Sequence, residues 1–300
     1  MPSGVLLLDK PRGLSSNAAL QRVRALFGRI KAGHVGSLDP LATGMLPICL
    51  GEATKVAGEI LAGRKCYRFS VALGSATATA DAEGAVTRSL PVPSLSAAQV
   101  AAVLERFIGP LEQVPPMYSA IKQGGQPLYR LARAGVSVPR AARMIEIFAL
   151  TLQGLTPLQL DLEVLCSKGT YVRVLAEDIA AALGTVGHVA SLRRLYVEPF
   201  AGHTLHTLEG LQELAQRGTP PPLLPIDAAL MHLPAFRLSD ADARRLLKGQ
   251  RVAGAEGAAA ARVRLYGADG VFLGLGESDG AGGLQPRRLI VPAAADSAAG

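Results

Sequence analysis

Residues 33 to 47 read GHVGSLDPLATGMLP. The stretch holds three glycines (Gly33, Gly36, Gly44), two prolines (Pro40, Pro47), one imidazole (His34) and one carboxylate (Asp39). This mixture suits neither a packed helix nor a regular strand, and it predicts a shaped loop. The glycines permit positive φ or close backbone approach, and Pro40 biases Asp39 towards an extended conformation. Such a loop holds one carboxylate in one direction. Taken alone, Asp-Pro is a common turn initiator and His34 an ordinary scaffold residue, so the meaning of the stretch rests on what surrounds it.

Three hundred residues suggest roughly two domains, and a chain of this size buries about three quarters of its unfolded surface. The 31 Lys and Arg residues against 24 Asp and Glu give a net charge of +7, which favours an anionic partner such as nucleic acid. Cys49, Cys66 and Cys166 are too few and too scattered for a disulfide framework or a CxxC metal site, a pattern that fits a reducing cytoplasm. The apolar run VLLL at 5–8 is closed by Asp9 and Lys10, too short for a signal segment or a membrane span. A soluble, cytoplasmic protein is expected.

Residues 5–8 predict a buried strand that runs into the turn KPRG at 10–13. Ser15 or Ser16 then caps a helix whose apolar positions Leu20, Val23, Leu26 and Phe27 share a face, with Gly28 as its stop. Its polar side carries Arg22 and Arg24, followed by Arg29 and Lys31, either a solvated face or a phosphate grip beside the glycine loop. KCYRFSVAL at 65–73 alternates as a strand and includes Tyr67, and LGSATATADAEG at 73–84 is a small-residue connection ending in a turn. Ser96 and Gln99 form a capping-box signature for a helix with Val100, Val103, Leu104 and Phe107 on one side. Residues 113–135 read as a polar, basic loop, and loops of this length are usually functional or disordered. An alternating strand at 160–166 delivers SKGTYVR at 167–173, and a helix follows through Leu175 and Ile179 to a stop at Gly184. Tyr171 and Arg173 therefore sit at a strand-to-helix junction, where side chains often project into a cleft; a helix-start residue with a surface salt bridge is the other reading of Arg173. LRR at 192–194 adds Leu192 and two cations.

The segment GTPPPLLP at 218–225 reads as a linker. Beyond about residue 233 the texture changes to a capped helix at 239–249, strands at 262–266 and 271–275 joined across the hairpin signal Asp269-Gly270, and a strand at 288–291. The expected division is a larger domain over 1–232 and a smaller domain over 233–295. An Ala and Gly-rich stretch lies at 253–261, and the tail AAADSAAG is expected to be disordered.

Five separated blocks, in order, carry a resemblance to a known family: LLDKPRGLSS, GHVGSLDPLATGMLP, KCYRFSVALGSATATADAEG, QVPPMYSAIKQGGQPLYRLARAG and SKGTYVR with its later LRR. Over nearly its whole length the sequence resembles the bacterial tRNA pseudouridine synthase B (TruB) family. The resemblance implies an α+β fold, with a long mixed, mainly antiparallel sheet flanked by helices and a small C-terminal PUA-like β-barrel. It implies isomerisation of uridine to pseudouridine at position 55 in the T loop of tRNA, by a monomer that binds the T stem-loop and needs no cofactor and no metal. It also assigns Asp39 as the catalytic carboxylate, Arg173 as its partner, and Tyr67 as a stacking residue that also helps move the C5 proton. Tyr171 and Leu192 match pocket positions, and His34 matches a residue that contacts and displaces RNA bases. Lys10 matches a lysine beside the site that is structural or phosphate-facing, and Arg22, Lys31, Lys122 and Lys168 are candidates for phosphate contacts. The chain departs from the family pattern at Ser37, where threonine or alanine is usual, at Gly187, where alanine is common, and at Glu198, where the pattern has glycine.

The implied chemistry sets physical demands. Asp39 has to be ionised, whereas burial raises an aspartate pKa by as much as about 3 to 5 units. A cation at about 4 Å contributes roughly 4 kcal/mol at an effective dielectric near 20, so one arginine offsets most of that shift. Extruding a base costs a few kcal/mol, and stacking on a tyrosine returns about 1 to 3 kcal/mol. Two other classes are open to the same residues. A non-catalytic tRNA-binding or folding factor would have no need of Asp39, Tyr67 and Arg173 together. A metal-dependent hydrolase built on His34 and Asp39 lacks a second His or carboxylate at ligand spacing.

Overall fold

The first strand, Gly4–Lys10, is buried on both faces, which is why its apolar run is unbroken rather than alternating. Leu6 and Leu8 enter one core, and Val5 and Leu7 enter another on the opposite side. The computed structural model describes residues 3–253, 262–279 and 281–290. In it this strand ends an eight-stranded sheet. The spatial order is Gly4–Lys10, Thr43–Leu50, Gly187–Val197, Lys65–Leu73, Gln159–Cys166, Arg143–Thr156 and Gly109–Gln113, with Ala32–His34 paired to one end of Thr43–Leu50. Only Gly187–Val197 runs parallel to its neighbour, Thr43–Leu50. The sheet is thus mixed and mainly antiparallel, and the fold is α+β.

Helices Ser16–Leu26, Ala97–Glu105, Val172–Ala182 and Leu208–Gln216 cover one face and bury Val23, Leu104, Ile179 and Leu211 in the larger core. The helix boundaries follow local chemistry. The Ser15 side chain accepts the Ala18 N–H, and Ser96 and Gln99 complete a reciprocal capping box. Near the first strand the other face is covered by short helical turns at 51–62 and 226–230, together with Leu275 and Ile290 from the C-terminal part. The rest of that face is polar: Arg68 pairs with Glu163 at 2.8 Å, and Ser70 donates to Asp161 at 2.6 Å.

Several expectations from the sequence change. The stretch 33–47 is a loop only at 35–42, because Ala32–His34 and Thr43–Leu50 are strands and Pro47 lies within the second. Pro47 still serves the sheet through its carbonyl, which accepts the Val35 N–H at 2.8 Å. Gly36 (φ +71°) and Gly44 (φ +97°) use the freedom that glycine gives, whereas Gly33 does not. The expected linker is stitched to the fold, since Val5 and Leu224 exchange backbone hydrogen bonds of 2.9 Å. His206 pairs similarly with Leu7 and Asp9, so the outer edge of the first strand is covered. The long loop at 113–135 contains a small hairpin at 122–127 and a short helix, Leu128–Arg133. Glu198 accepts a hydrogen bond from Arg64 at 2.8 Å, which ties down the turn where the family pattern has glycine.

The C-terminal part forms a second, curled half-barrel sheet of five strands, Ala235–Arg237, Val252–Ala253, Arg262–Tyr266, Phe272–Ser278 and Gly283–Leu289. Leu246, Val263, Leu265 and Leu284 form its own core. Ser239 caps the helix Asp240–Leu247, and the turn at Asp269-Gly270 joins two strands as expected. The strand expected at 288–291 begins earlier, at Gly283. Most of the Ala and Gly-rich stretch and the tail lie outside the described residues.

Gly44 is the tightest approach within the central sheet. A Cβ there would lie 2.2 Å from the Arg194 carbonyl oxygen, on a backbone already at positive φ. Gly44→Ala is expected to lower the unfolding free energy by about 2 to 3 kcal/mol. Urea denaturation reads this directly, and an unchanged midpoint would contradict so close an approach.

Candidate active site

The loop at 35–42 is fastened on both sides of Asp39. The Ser16 hydroxyl accepts the Leu38 N–H at 2.7 Å and lies 3.1 Å from the Leu38 carbonyl, to which it donates. Arg194 donates to the Gly36 carbonyl at 2.9 Å, and Gly13 N–H donates to the Pro40 carbonyl at 2.7 Å. Such bonds contribute about 0.5 to 1.5 kcal/mol each, and here they converge on one short segment. Lys10 lies beneath it, fully buried, and its Nζ donates to the carbonyls of Leu14 and Pro11 at 2.7 and 2.9 Å. Lys10 therefore faces backbone rather than substrate or phosphate, because carbonyl oxygens take up its ammonium. Burial brings its pKa down to about 8 against the pull of the Asp39 charge.

Across the cleft, the Gln159–Cys166 strand hands the chain through SKGT to Tyr171, which precedes the helix Val172–Ala182. Gln113 clamps that junction by accepting the Tyr171 N–H at 2.7 Å and donating to its carbonyl at 3.1 Å. Arg173, in the first turn, is 5 % exposed, and its Nε lies 2.9 Å from Asp39 Oδ2. The sequence left open a surface salt bridge at this position; the ion pair is instead internal on the arginine side. Nη1 donates to the Thr79 carbonyl at 2.9 Å and Nη2 to the Tyr118 carbonyl at 2.7 Å. One guanidinium thus joins the glycine loop, the 73–84 connection and the 113–135 segment.

A second carboxylate, Asp81, stands 4.0 Å from Arg173 Nε and is 4 % exposed. Thr79 Oγ1 donates to it, as does the Glu83 N–H at 3.1 Å. Crowding by protein pushes the Asp39 pKa above its usual range. Arg173 pulls it down and Asp81 pushes it up. The Asp39 side chain keeps 40 % of its surface open to the cleft, so water screens part of the burial penalty.

Asp39, Arg173, Tyr67, Tyr171 and Leu192 line one cavity of about 380 Å³. That volume is in the range of small-ligand sites. Tyr67 and Leu192 form its buried side, and Lys168 stands at an exposed part of the wall. Burial drives the Tyr67 phenol pKa upward, and the neighbouring Arg194 opposes that shift. His34 ends a short strand outside this lining, with Nδ1 buried and unpartnered, and burial followed by Arg194 lowers its pKa. Arg22, Lys31 and Lys122 are exposed away from the lining.

Asp81, Lys65 and Arg194 did not emerge from the sequence as site residues. Asp81 stands in a Thr-rich tract that reads as a plain turn, and its one signal is an acid among small residues in a block otherwise suited to tight packing. Arg194 reads as one of two surface cations in LRR, yet Arg193 pairs with Asp9 at 2.8 Å while Arg194 turns into the interior. Among the described residues, no group of three or more His, Cys, Asp or Glu side chains is placed to hold a metal ion. No helix among them is long and apolar enough to cross a membrane.

Residues 24–172 match the model of the TruB family pseudouridylate synthase N-terminal domain. Residues 173–231 match the tRNA pseudouridylate synthase B C-terminal domain, and residues 234–290 match the pseudouridine synthase II TruB C-terminal model. The tRNA pseudouridine synthase B of Chromohalobacter salexigens is 49 % identical over 289 residues, covering 96 % of this chain and 94 % of the relative. That of Aromatoleum aromaticum is 50 % identical over 287 residues, covering 96 % and 92 %. Among solved structures, a chain of an H/ACA RNP bound to a substrate RNA containing 2′-deoxyuridine superposes with a TM-score of 0.75 at 21 % identity, covering 96 % of this chain and 85 % of that one. A chain of a Cbf5-Nop10-Gar1 complex gives 0.72 at 24 % identity, covering 93 % and 79 %. At those identities the structural likeness concerns the fold. The near-half identity to curated relatives along almost the whole chain concerns descent, and on that ground the chain belongs to the TruB family of pseudouridylate synthases.

Proposed function

We propose that this protein isomerises uridine to pseudouridine at position 55 in the T loop of tRNA, with Asp39 as the reacting carboxylate. The observation that carries this reading is the Asp39–Arg173 ion pair, 2.9 Å long, at a cleft whose buried side holds Tyr67. The names of the relatives, tRNA pseudouridine synthase B, point to the same substrate class.

The reaction breaks the C1′–N1 bond and makes a C1′–C5 bond. A proton leaves C5 and one is taken up at N1, so nothing is oxidised or reduced. Asp39 attacks or otherwise activates the nucleoside while Arg173 holds it as the anion. Tyr67 offers a face for the extruded base, offsetting the few kcal/mol lost on leaving the stack, and Tyr171 and Leu192 bound the space it enters. Lys168 at the wall and the exposed Arg22, Lys31 and Lys122 supply positive charge for phosphates, the dominant source of affinity in such complexes. The part of the chain from residue 233 acts as a separate RNA-binding domain in this reading.

Purified protein incubated with an unmodified T stem-loop RNA is expected to form pseudouridine at the target position, with Asp39→Ala and Asp39→Asn inactive but still binding RNA. Binding without product in the parental protein would favour a non-catalytic tRNA-folding factor. Near-parental turnover in either variant would remove Asp39 from the chemistry.

The raised pKa of Asp39 makes a further prediction. Just above the ordinary value of 3.8 the folded protein retains a proton that the unfolded chain has lost. Stability contributed by this group therefore falls as pH rises through that window. Asp39→Asn, which removes the ionisation, is expected to melt at the same temperature as the parent or higher at neutral pH, and a clear drop would contradict the sign. Activity requires the anion, so the acid limb of kcat/KM is expected above pH 3.8, and Asp81→Asn is expected to move it downward. An upward move would show that Asp81 does not act on Asp39 through charge.

Tyr67→Ala is expected to lower kcat at least about 10-fold, the equivalent of about 1.4 kcal/mol of lost stacking, while the RNA Kd stays within about threefold because phosphate contacts dominate it. Loss of affinity with unchanged turnover at saturation would rule out the stacking role.

A further inference from the structure

Lys65 opens the strand that carries Tyr67, and it is 5 % exposed. Its Nζ donates to the Leu61 carbonyl at 2.5 Å and to the Gly63 carbonyl at 2.6 Å, both at the end of the short helix Ala57–Ala62. An ammonium has three N–H donors, and among the described residues the third meets no acceptor. No carboxylate among those residues pairs with it either. Its charged neighbours Arg194 and Lys168 have the same sign, and burial keeps the nearby Cys166 thiol protonated by driving its pKa up to about 11. A buried ammonium in such company costs several kcal/mol. A helix end does not require it, since water or a backbone N–H satisfies such carbonyls.

The catalytic cavity shows the same imbalance. Four cationic side chains line it, Lys65, Lys168, Arg173 and Arg194, against one carboxylate, Asp39. Asp39 pairs with Arg173, which leaves three cations of the lining without an acidic partner among the described residues. Side chains two apart on a strand share a face and lie roughly 7 Å apart. Lys65 and Tyr67 both line the cavity, whereas Cys66 between them does not and faces Glu163 instead. A base resting on Tyr67 is therefore within reach of the Lys65 ammonium.

The proposed isomerisation creates a negative charge in that place. When the C1′–N1 bond breaks, its electron pair stays with uracil, spread over the ring nitrogen and the two carbonyl oxygens, while the Asp39 carboxylate meets the electron-poor C1′. A half-turn about the C6–N3 axis exchanges N1 with C5 and one carbonyl oxygen with the other, so a fixed donor meets an oxygen before and after the turn. C5 then bonds to C1′ with a ring electron pair, its proton leaves, and N1 takes up a proton. The phosphates stay with the RNA backbone and suit the exposed Lys168, whereas the buried Lys65 suits the base. We propose that Lys65 is a further catalytic residue, whose third N–H donates to a carbonyl oxygen of the detached uracil and which, with Arg194 and Lys168, stabilises the negative charge there. This deepens the proposed uridine isomerisation and rests on it.

The test measures pseudouridine formation on a T stem-loop RNA by the parent and by Lys65→Met, which keeps most of the side-chain length and loses the charge. Lys65→Met is expected to lower kcat at least about 10-fold, with KM for RNA within about twofold. On the same RNA carrying 5-fluorouridine at the target position, the loss is read as conversion of the starting nucleoside. It is expected to be less than about threefold, because fluorine withdraws charge from the ring and does part of the lysine's task. An unchanged kcat, equal losses on both RNAs, or a loss confined to KM would overturn the proposal, the last marking Lys65 as a phosphate contact. A second measurement leaves Lys65 in place. In protein labelled with carbon-13 at lysine Cε, RNA with pseudouridine at the target position is expected to shift the Lys65 signal, and RNA with an abasic ribose there is expected not to. A signal that stays still with both, or moves equally with both, would overturn the proposal whatever the kinetics of Lys65→Met. A parental protein that makes no pseudouridine would count against the proposed function, and the spectroscopic result would still decide whether Lys65 faces a base.

Discussion

The Asp39–Arg173 contact is the constraint around which the rest of the structure is arranged. The carboxylate faces the cleft and the guanidinium lies within the protein, so the pair spans the boundary between solvent and interior. A half-buried ion pair of this kind is costly unless the remaining donors are satisfied. Here Nη1 and Nη2 each donate to a carbonyl, of Thr79 and Tyr118, and a second carboxylate, Asp81, adds negative charge 4.0 Å from Nε. Moving any of those segments would leave a buried N–H without a partner, so the arginine fixes the walls of the cleft as well as the charge inside it.

The carboxylate side is held with equal economy. Ser15 caps the first helix, and Ser16 reaches the Leu38 backbone with both donor and acceptor. The helix that covers the sheet therefore also sets the height of the loop. Lys10 closes the space beneath, and Lys65 is fixed similarly by the Leu61 and Gly63 carbonyls. Burial brings both ammonium groups down to about 8. Together with Arg194 they place positive charge behind a site that carries the Asp39 carboxylate and, in the proposed reaction, receives a phosphate-bearing substrate.

Much of this was legible in the sequence where the signal is local. Ser96 and Gln99 announce a capping box, KCYRFSVAL alternates as a strand, and the junction at Tyr171–Arg173 follows from a strand ending where a helix begins. The glycine loop is readable as a shaped turn that holds one carboxylate, while its pairing with Arg173 joins segments far apart in the chain. What could not be read was set by partners far away in the chain. Lys10 turns inward because the Leu14 and Pro11 carbonyls need donors, Leu224 pairs with Val5 because an edge strand needs covering, and Asp81 matters because Arg173 arrives beside it. Arg193 and Arg194 are adjacent and chemically identical, yet strand alternation sends one to a surface carboxylate and the other to the core. Period-two reading of LRRLYV contains that distinction, but only once the buried face of the strand is known.

In the proposed reaction Asp39 and Arg173 work as one unit. Single-turnover rates of pseudouridine formation on a T stem-loop RNA, measured for Asp39→Glu, Arg173→Met and the double variant, test it most directly. If the arginine acts by holding the carboxylate, the loss in the double variant falls well short of the product of the two single losses. Losses that multiply would mean that the two side chains contribute independently, which contradicts the claim.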